Sequence, residues 1–172
     1  MARYDGIRWP QKGMVLLISL VFLLALSLIG LASMQGAVFQ QKIAGSLWHR
    51  NQSFQAAESG LRLGETTVRN TGAALPLCPS ISACVPPQEA YSVLGAGMNP
   101  VSAVMWVSSK GGLYGIQSLG RVDRPTDKPA ALYRVTSVGL IGPSRTVLET
   151  VYARVEGENG VKFRRVVWRQ LQ

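Results

Sequence analysis

Apolar residues fall into three regimes along the chain. From Met14 to Met34 they are almost continuous: MVLLISLVFLLALSLIGLASM is 21 residues broken only by Ser and Gly, and no charge occurs between Lys12 and Lys42. A bilayer core about 30 Å thick needs roughly 20 such residues as a helix, so the run predicts a membrane-spanning segment. Beyond it the apolar positions thin out to a seven-residue repeat, Leu47, Phe54, Leu61 and Val68, with Ile43, Arg50, Ala57 and Gly64 in a row beside them. That spacing is what a helix presents when one stripe packs on something else, with Glu58, Arg62 and Glu65 on a solvated face. No proline occurs between Gln11 and Leu75, so one helix of about 50–55 residues, close to 80 Å at about 1.5 Å per residue, is permitted. Gly30, Gly36, Gly45, Gly60 and Gly64 weaken that helix, or mark bends or close approaches.

The third regime alternates. Residues 71–100 hold five prolines and a cysteine pair and read as a connecting loop. Strands rich in Val, Tyr and Trp are predicted at Val101–Ser108, Ala131–Leu140, Arg145–Val155 and Val161–Trp168. Gly142-Pro143 and Asn159-Gly160 supply turns, so the last three form an antiparallel meander. The expected fold is α+β: a long N-terminal helix, transmembrane half followed by amphipathic half, packed on a C-terminal antiparallel sheet. The expected segments are a basic leader at 1–13, the transmembrane part at 14–36, the amphipathic part at 37–70, the loop at 71–100 and the sheet at 101–172.

Charge adds a direction. The leader carries Arg3, Arg8 and Lys12 against Asp5, whereas Lys42 and Arg50 follow the apolar run. The basic excess places the N-terminus in the cytoplasm. The apolar run is too long for an ordinary secretory signal and has no clean small-x-small site after it. It therefore stays on the protein, either as an uncleaved anchor or after processing at Gly13/Met14. Cys78 and Cys84 are the chain's two cysteines, in the Pro-rich loop CPSISAC. They read best as a disulfide in an oxidising compartment, against free thiols or a metal site short of ligands. That puts the C-terminal domain outside the cytoplasm.

Net charge is +9. Such a surface suits anionic lipid, polysaccharide or DNA, and equally suits simple solubility. Lys162, Arg164, Arg165 and Arg169 make the last strand basic, which could serve a partner or DNA, or keep an edge strand from unwanted pairing. Catalytic patterns are missing: one His, no acids spaced for acid–base work, and a Gly111-Gly112-Leu-Tyr-Gly115 stretch without the lysine of a phosphate loop. Trp48 and Trp106 read as packing or interface residues. No enzyme activity, metal or cofactor is expected.

QKG-MVLLISLVFLLALSLIGLASM followed by KIAGSLWHRNQSFQAAESGLRLGE (Lys42–Glu65), and more loosely ALYRVTSVGL with the hairpin after it, resembles the type IV pilin superfamily and within it the PilX minor-pilin family. The first two segments cover residues 11–65. The resemblance implies that a prepilin peptidase cuts after Gly13 and methylates the new amine of Met14. It also implies that an inner-membrane assembly platform moves the helix from the bilayer into a filament core. Implied partners are other minor pilins, the major pilin and a tip adhesin.

Major pilins carry Glu at the fifth mature position, where it neutralises a neighbouring subunit's amine. Here that position is Ile18, followed by Ser19. A subunit with nothing ahead of it has no need of the acid, since no neighbour's ammonium must then be matched in the apolar core. The expected function is a minor pilin that helps initiate a type IV pilus or sits at its tip, supporting twitching motility, adhesion or DNA uptake. The alternatives are a minor pseudopilin of a type II secretion system and an uncleaved single-pass envelope binding protein.

Overall fold

The structure is a computed structural model that describes residues 13–71, 74–80, 83–123, 129–157 and 160–171. The leader's Arg3, Asp5, Arg8 and Lys12, the Gly72 that follows the helix, and the turn residue Asn159 lie outside the described residues. Contacts divide the chain into two units, one ending at Gly45 and the other beginning at Ser46.

A single helix, α1 (Met14–Thr71), runs through both units. In the first unit no described side chain is buried. Two of the three hydroxyls in its apolar stretch are nonetheless satisfied: Ser19 donates to the Leu16 carbonyl at 2.9 Å and Ser27 to that of Leu23 at 2.8 Å. Such back-bonding lets serine sit among Leu and Phe without leaving a polar group bare to lipid.

The second unit is a six-stranded antiparallel sheet in sequence order: β1 (Gly97–Met98), β2 (Met105–Ser109), β3 (Gly112–Val122), β4 (Ala130–Ile141), β5 (Ser144–Gly157) and β6 (Gly160–Gln170). Residues 46–71 of α1 cover one face. Their buried positions are Ser53, Ala56, Ala57, Gly60, Leu61, Gly64 and Val68, a row of mostly small side chains at helical spacing. Ala57, Leu61 and Val68 pack with Tyr133, Val135, Leu148 and Tyr152, and Phe54 and Phe163 close the margin. Smallness permits close approach. A Cβ on Gly64 would overlap the Val135 side chain, one on Gly60 the Ser137 hydroxyl, and one on Gly139 of β4 the Ser53 carbonyl. Ser53 and Thr146 share a hydrogen bond of 2.8 Å at the same contact, so the buried hydroxyls are paired.

The opposite face is covered by the chain between α1 and β2, including a short 3-10 helix at Gln88–Tyr91. Ala90, Val104, Trp106, Leu113, Val138 and Val147 form this second apolar cluster. Arg145 holds the cover down by donating to the carbonyls of Ala90 and Val93, each at 2.9 Å.

Three expectations need revision. The strand expected at Val101–Ser108 begins at Met105, because Asn99 Oδ1 accepts from the N–H groups of Val101 and Ser102 (2.8 and 3.1 Å) and turns that segment first. A full strand, β3, lies where the sequence reading placed none. Leu47 does not join Phe54, Leu61 and Val68: it is 54% exposed, and burial along α1 begins at Ser53.

Candidate functional site

With no reaction centre suggested by its residues, the chain's candidate sites are surfaces. The first lies on α1 within the first unit. Gly13 occupies a turn and the helix begins at Met14. Met14, Leu16, Leu20, Phe22, Leu24 and Leu28 are all exposed, and Ile18 is 49% exposed. Between Met14 and Gln41 the helix offers no acid and no base, so nothing in that span can pair with a buried ammonium. The helix is long and apolar enough to cross a membrane.

The second surface is the outer strand β6, tied to the rest of the unit by two carboxylates. Glu149, on β5, is 1% exposed and ion-paired on both sides. Arg169 of β6 donates to its Oε1 (2.8 and 2.9 Å), and Arg134 of β4 lies 3.2 Å from its Oε2. The strand register explains the meeting: Glu149 is opposite Thr136 on one side and Arg169 on the other, so all three side chains share a face. A carboxylate so buried requires such partners, since a lone charge there would be costly. Burial in turn pulls the Arg134 guanidinium below its ordinary value, against the raising effect of Glu149.

Glu65 makes the matching connection on the helix side. It accepts from Tyr152 at 2.9 Å and from Arg69 at 2.8 Å, with Arg165 of β6 at 3.6 Å. Burial works to raise its carboxyl, but the Arg69 and Tyr152 hydrogen bonds and the charges of Arg69 and Arg165 prevail and hold it below the ordinary value. Desolvation raises the Tyr152 phenol, with the Glu65 contact acting in the same direction.

Cys78 and Cys84 are disulfide-bonded, with Cα atoms 5.4 Å apart. The loop they close is fastened to the sheet: Cys78 donates its N–H to the Ser118 carbonyl at 3.1 Å, and Arg134 donates to the Cys84 carbonyl. Gln117 bonds the neighbouring carbonyls of Ala83 and Val85. Arg134 thus touches both the disulfide loop and Glu149. Among the described residues, no group of His, Cys, Asp and Glu comes together in a way that could hold a metal ion.

Of the residues singled out in the sequence, the structure brings together the two cysteines and, in one cluster, Phe54, Leu61 and Val68. Gly13, Met14 and Ile18 stand at the start of α1 with Leu47 exposed further along. Trp106 is buried at 2% exposure, whereas Trp48 is 56% exposed beside His49. Sequence reasoning missed Glu149 and its arginines, whose partners come from different strands and leave no spacing signal. It named Ala57, Gly60 and Gly64, the last two as candidate close approaches, but missed Ser53 and Ala56 in the same stripe, whose signal is small size at helical period rather than hydrophobicity.

Residues 12–62 match the protein family described as PilX N-terminal. Comparison with curated proteins found no match, and comparison with solved structures found none. The family match runs from just before the start of α1 through the uncharged stretch and into the small-residue stripe, so over this part the chain is similar to the PilX-family type IV pilins.

Proposed function

We propose that this chain is a minor pilin that helps initiate a type IV pilus or sits at its tip. The observation that carries the reading is Ile18, on a helix whose span from Met14 to Gln41 holds no charge. Inside an apolar filament core a subunit's terminal ammonium needs a carboxylate from the subunit behind it, and this helix has none to give forward. A position with no subunit ahead removes that requirement. The processing point is Gly13/Met14: a prepilin peptidase cuts there and methylates Met14. The helix anchors the protein once in the inner membrane, N-terminus cytoplasmic and sheet domain periplasmic, until the assembly platform passes it to a filament. The disulfide agrees with an oxidising compartment for that domain. Other minor pilins, the major pilin and a tip adhesin are its partners. It works as a structural subunit rather than as an enzyme.

Intact-mass spectrometry of the membrane-extracted protein, with and without reduction, tests this. The expected chain begins at Met14, is one methyl heavier than its sequence, and gains two hydrogens on reduction. A chain that retains Arg3, Arg8 and Lys12 in cells with active prepilin peptidase would overturn the pilin reading. Co-purification then separates the two filament systems: pilus-tip proteins support the proposal, and secretion-system pseudopilins replace it with the type II alternative.

A further inference from the structure

The last strand has the properties of a receptor. β6 ends the sheet, so its backbone N–H and C=O groups on the side away from β5 face outward in alternation. It is eleven residues long, whereas the strand at the other edge, β1, has two. Its side chains are mostly exposed and mix two chemistries: Val161, Val166, Val167 and Trp168 are between 39% and 45% exposed, alongside four cations.

Those cations are not equivalent. Arg165 is engaged by Glu65 and Tyr152, and Arg169 by Glu149. Lys162 and Arg164 are exposed and have no acidic partner among the described residues. Register sets them opposite Val155 and Ala153, two residues apart on the face turned away from α1. Val161 and Trp168 stand on the other face, opposite Glu156 and Thr150.

We infer that β6 is a strand-addition site that accepts an extended acidic segment of another protein, with carboxylates on one face and apolar residues on the other. Main-chain hydrogen bonds to the open edge supply affinity and the alternating side chains supply selection. Charge excludes a second copy of the chain, because pairing β6 with itself sets cation against cation across the new ladder. Charge also argues against nucleic acid: two unpaired cations release few counterions, and the apolar half of the strand would have no counterpart on a phosphate backbone. Trp168 and the valines suit a protein strand, where a half-exposed aromatic anchor can be covered on binding. This inference concerns a partner contact and stands whether or not the chain occupies a pilus tip.

The test uses the full chain in detergent micelles and a fluorescent ten-residue peptide alternating Glu with Val. Three probes accompany it: the same peptide with alternate amides N-methylated, a version with Lys for Glu, and a single-stranded oligonucleotide. The expected result is saturable binding of the Glu peptide and slowed amide exchange along residues 160–170. N-methylation of the pairing amides, and separately the double variant Lys162→Glu/Arg164→Glu, should each weaken it by about tenfold. Lys162→Gln/Arg164→Gln, which removes charge without reversing it, should give an intermediate loss and guards against a folding artefact. Equal binding of the methylated peptide would overturn strand addition, and absence of binding at millimolar peptide would show that the charges merely guard the edge. Tighter binding of the oligonucleotide, lost in the same double variant, would reassign the strand to nucleic acid.

Discussion

The two parts of α1 are one uninterrupted helix built for opposite surroundings. From Met14 to Met34 the residues are mostly large and apolar, and none is buried; from Ser53 onward the inward residues are mostly small and almost fully covered. Glycine shows the difference most plainly. A Cβ added to Gly30, Gly36 or Gly45 would meet nothing within 4 Å, whereas at Gly60 and Gly64 it would collide with the sheet. The lesson is that size, rather than hydrophobicity, marks where a helix has an intramolecular partner. Large apolar side chains mark where the partner is lipid or another molecule.

That contrast can be broken by exchanging the requirements of the two parts. The largest effect is expected from Leu24→Arg: a charge in the middle of the apolar stretch should cost about 2.5–3.5 kcal/mol of membrane insertion. It should shift the protein toward the soluble fraction while the thermal midpoint of the sheet unit stays unchanged. Gly64→Leu should do the reverse. Overpacking against Val135 should lower stability by about 1–3 kcal/mol in thermal melts of the full chain in detergent, with membrane association intact. If both variants changed both readouts, the two parts would not be separable.

A smaller effect probes the polar fastening. Glu65 has a depressed carboxyl pKa, so its contribution is fully present above its ordinary value of 4.5 and is lost as pH falls through the lower native value. Glu65→Gln should cost about 1 kcal/mol at neutral pH and flatten the acid-side decline in melting temperature, measured from pH 7 to pH 3. Smallest of all, Gly30→Ala should leave the sheet unit unaffected and raise helicity in the apolar part by up to about 1 kcal/mol of propensity. Circular dichroism in micelles would register it.

Much of this architecture could be read from the chain. The uncharged stretch and the absence of proline define α1, and Val-rich alternation around Gly142-Pro143 defines β4 and β5. β3 escaped because its sequence, GLYGIQSLGRV, has the composition of a loop. Two of its three glycines are there for proximity, Gly112 against the Val138 carbonyl and Gly115 against Val104 and Trp106, and the third, Gly120, takes a positive φ at the register shift. The seven-residue seam failed at Leu47 because periodicity alone cannot say where a helix meets its partner. Glu149 was illegible for a different reason: its ion pairs depend on a register between β4, β5 and β6 that no single strand encodes. The surface at the start of α1 was the reverse case, since its character lies entirely in residue type and order.

The hydrogen bond between Ser53 and Thr146 joins residues separated by 93 positions. Neighbouring strands, by contrast, follow one another directly in the chain, so each can pair as soon as its successor is made. At the usual rate of synthesis, the interval between the helix and the strand that completes its binding face is roughly 5–20 s. Throughout that time the Ser-Ala-Gly stripe has no sheet to lie on. The first surface of this domain to be made therefore waits long for its partner strands, and any factor that holds the nascent chain has that interval in which to act.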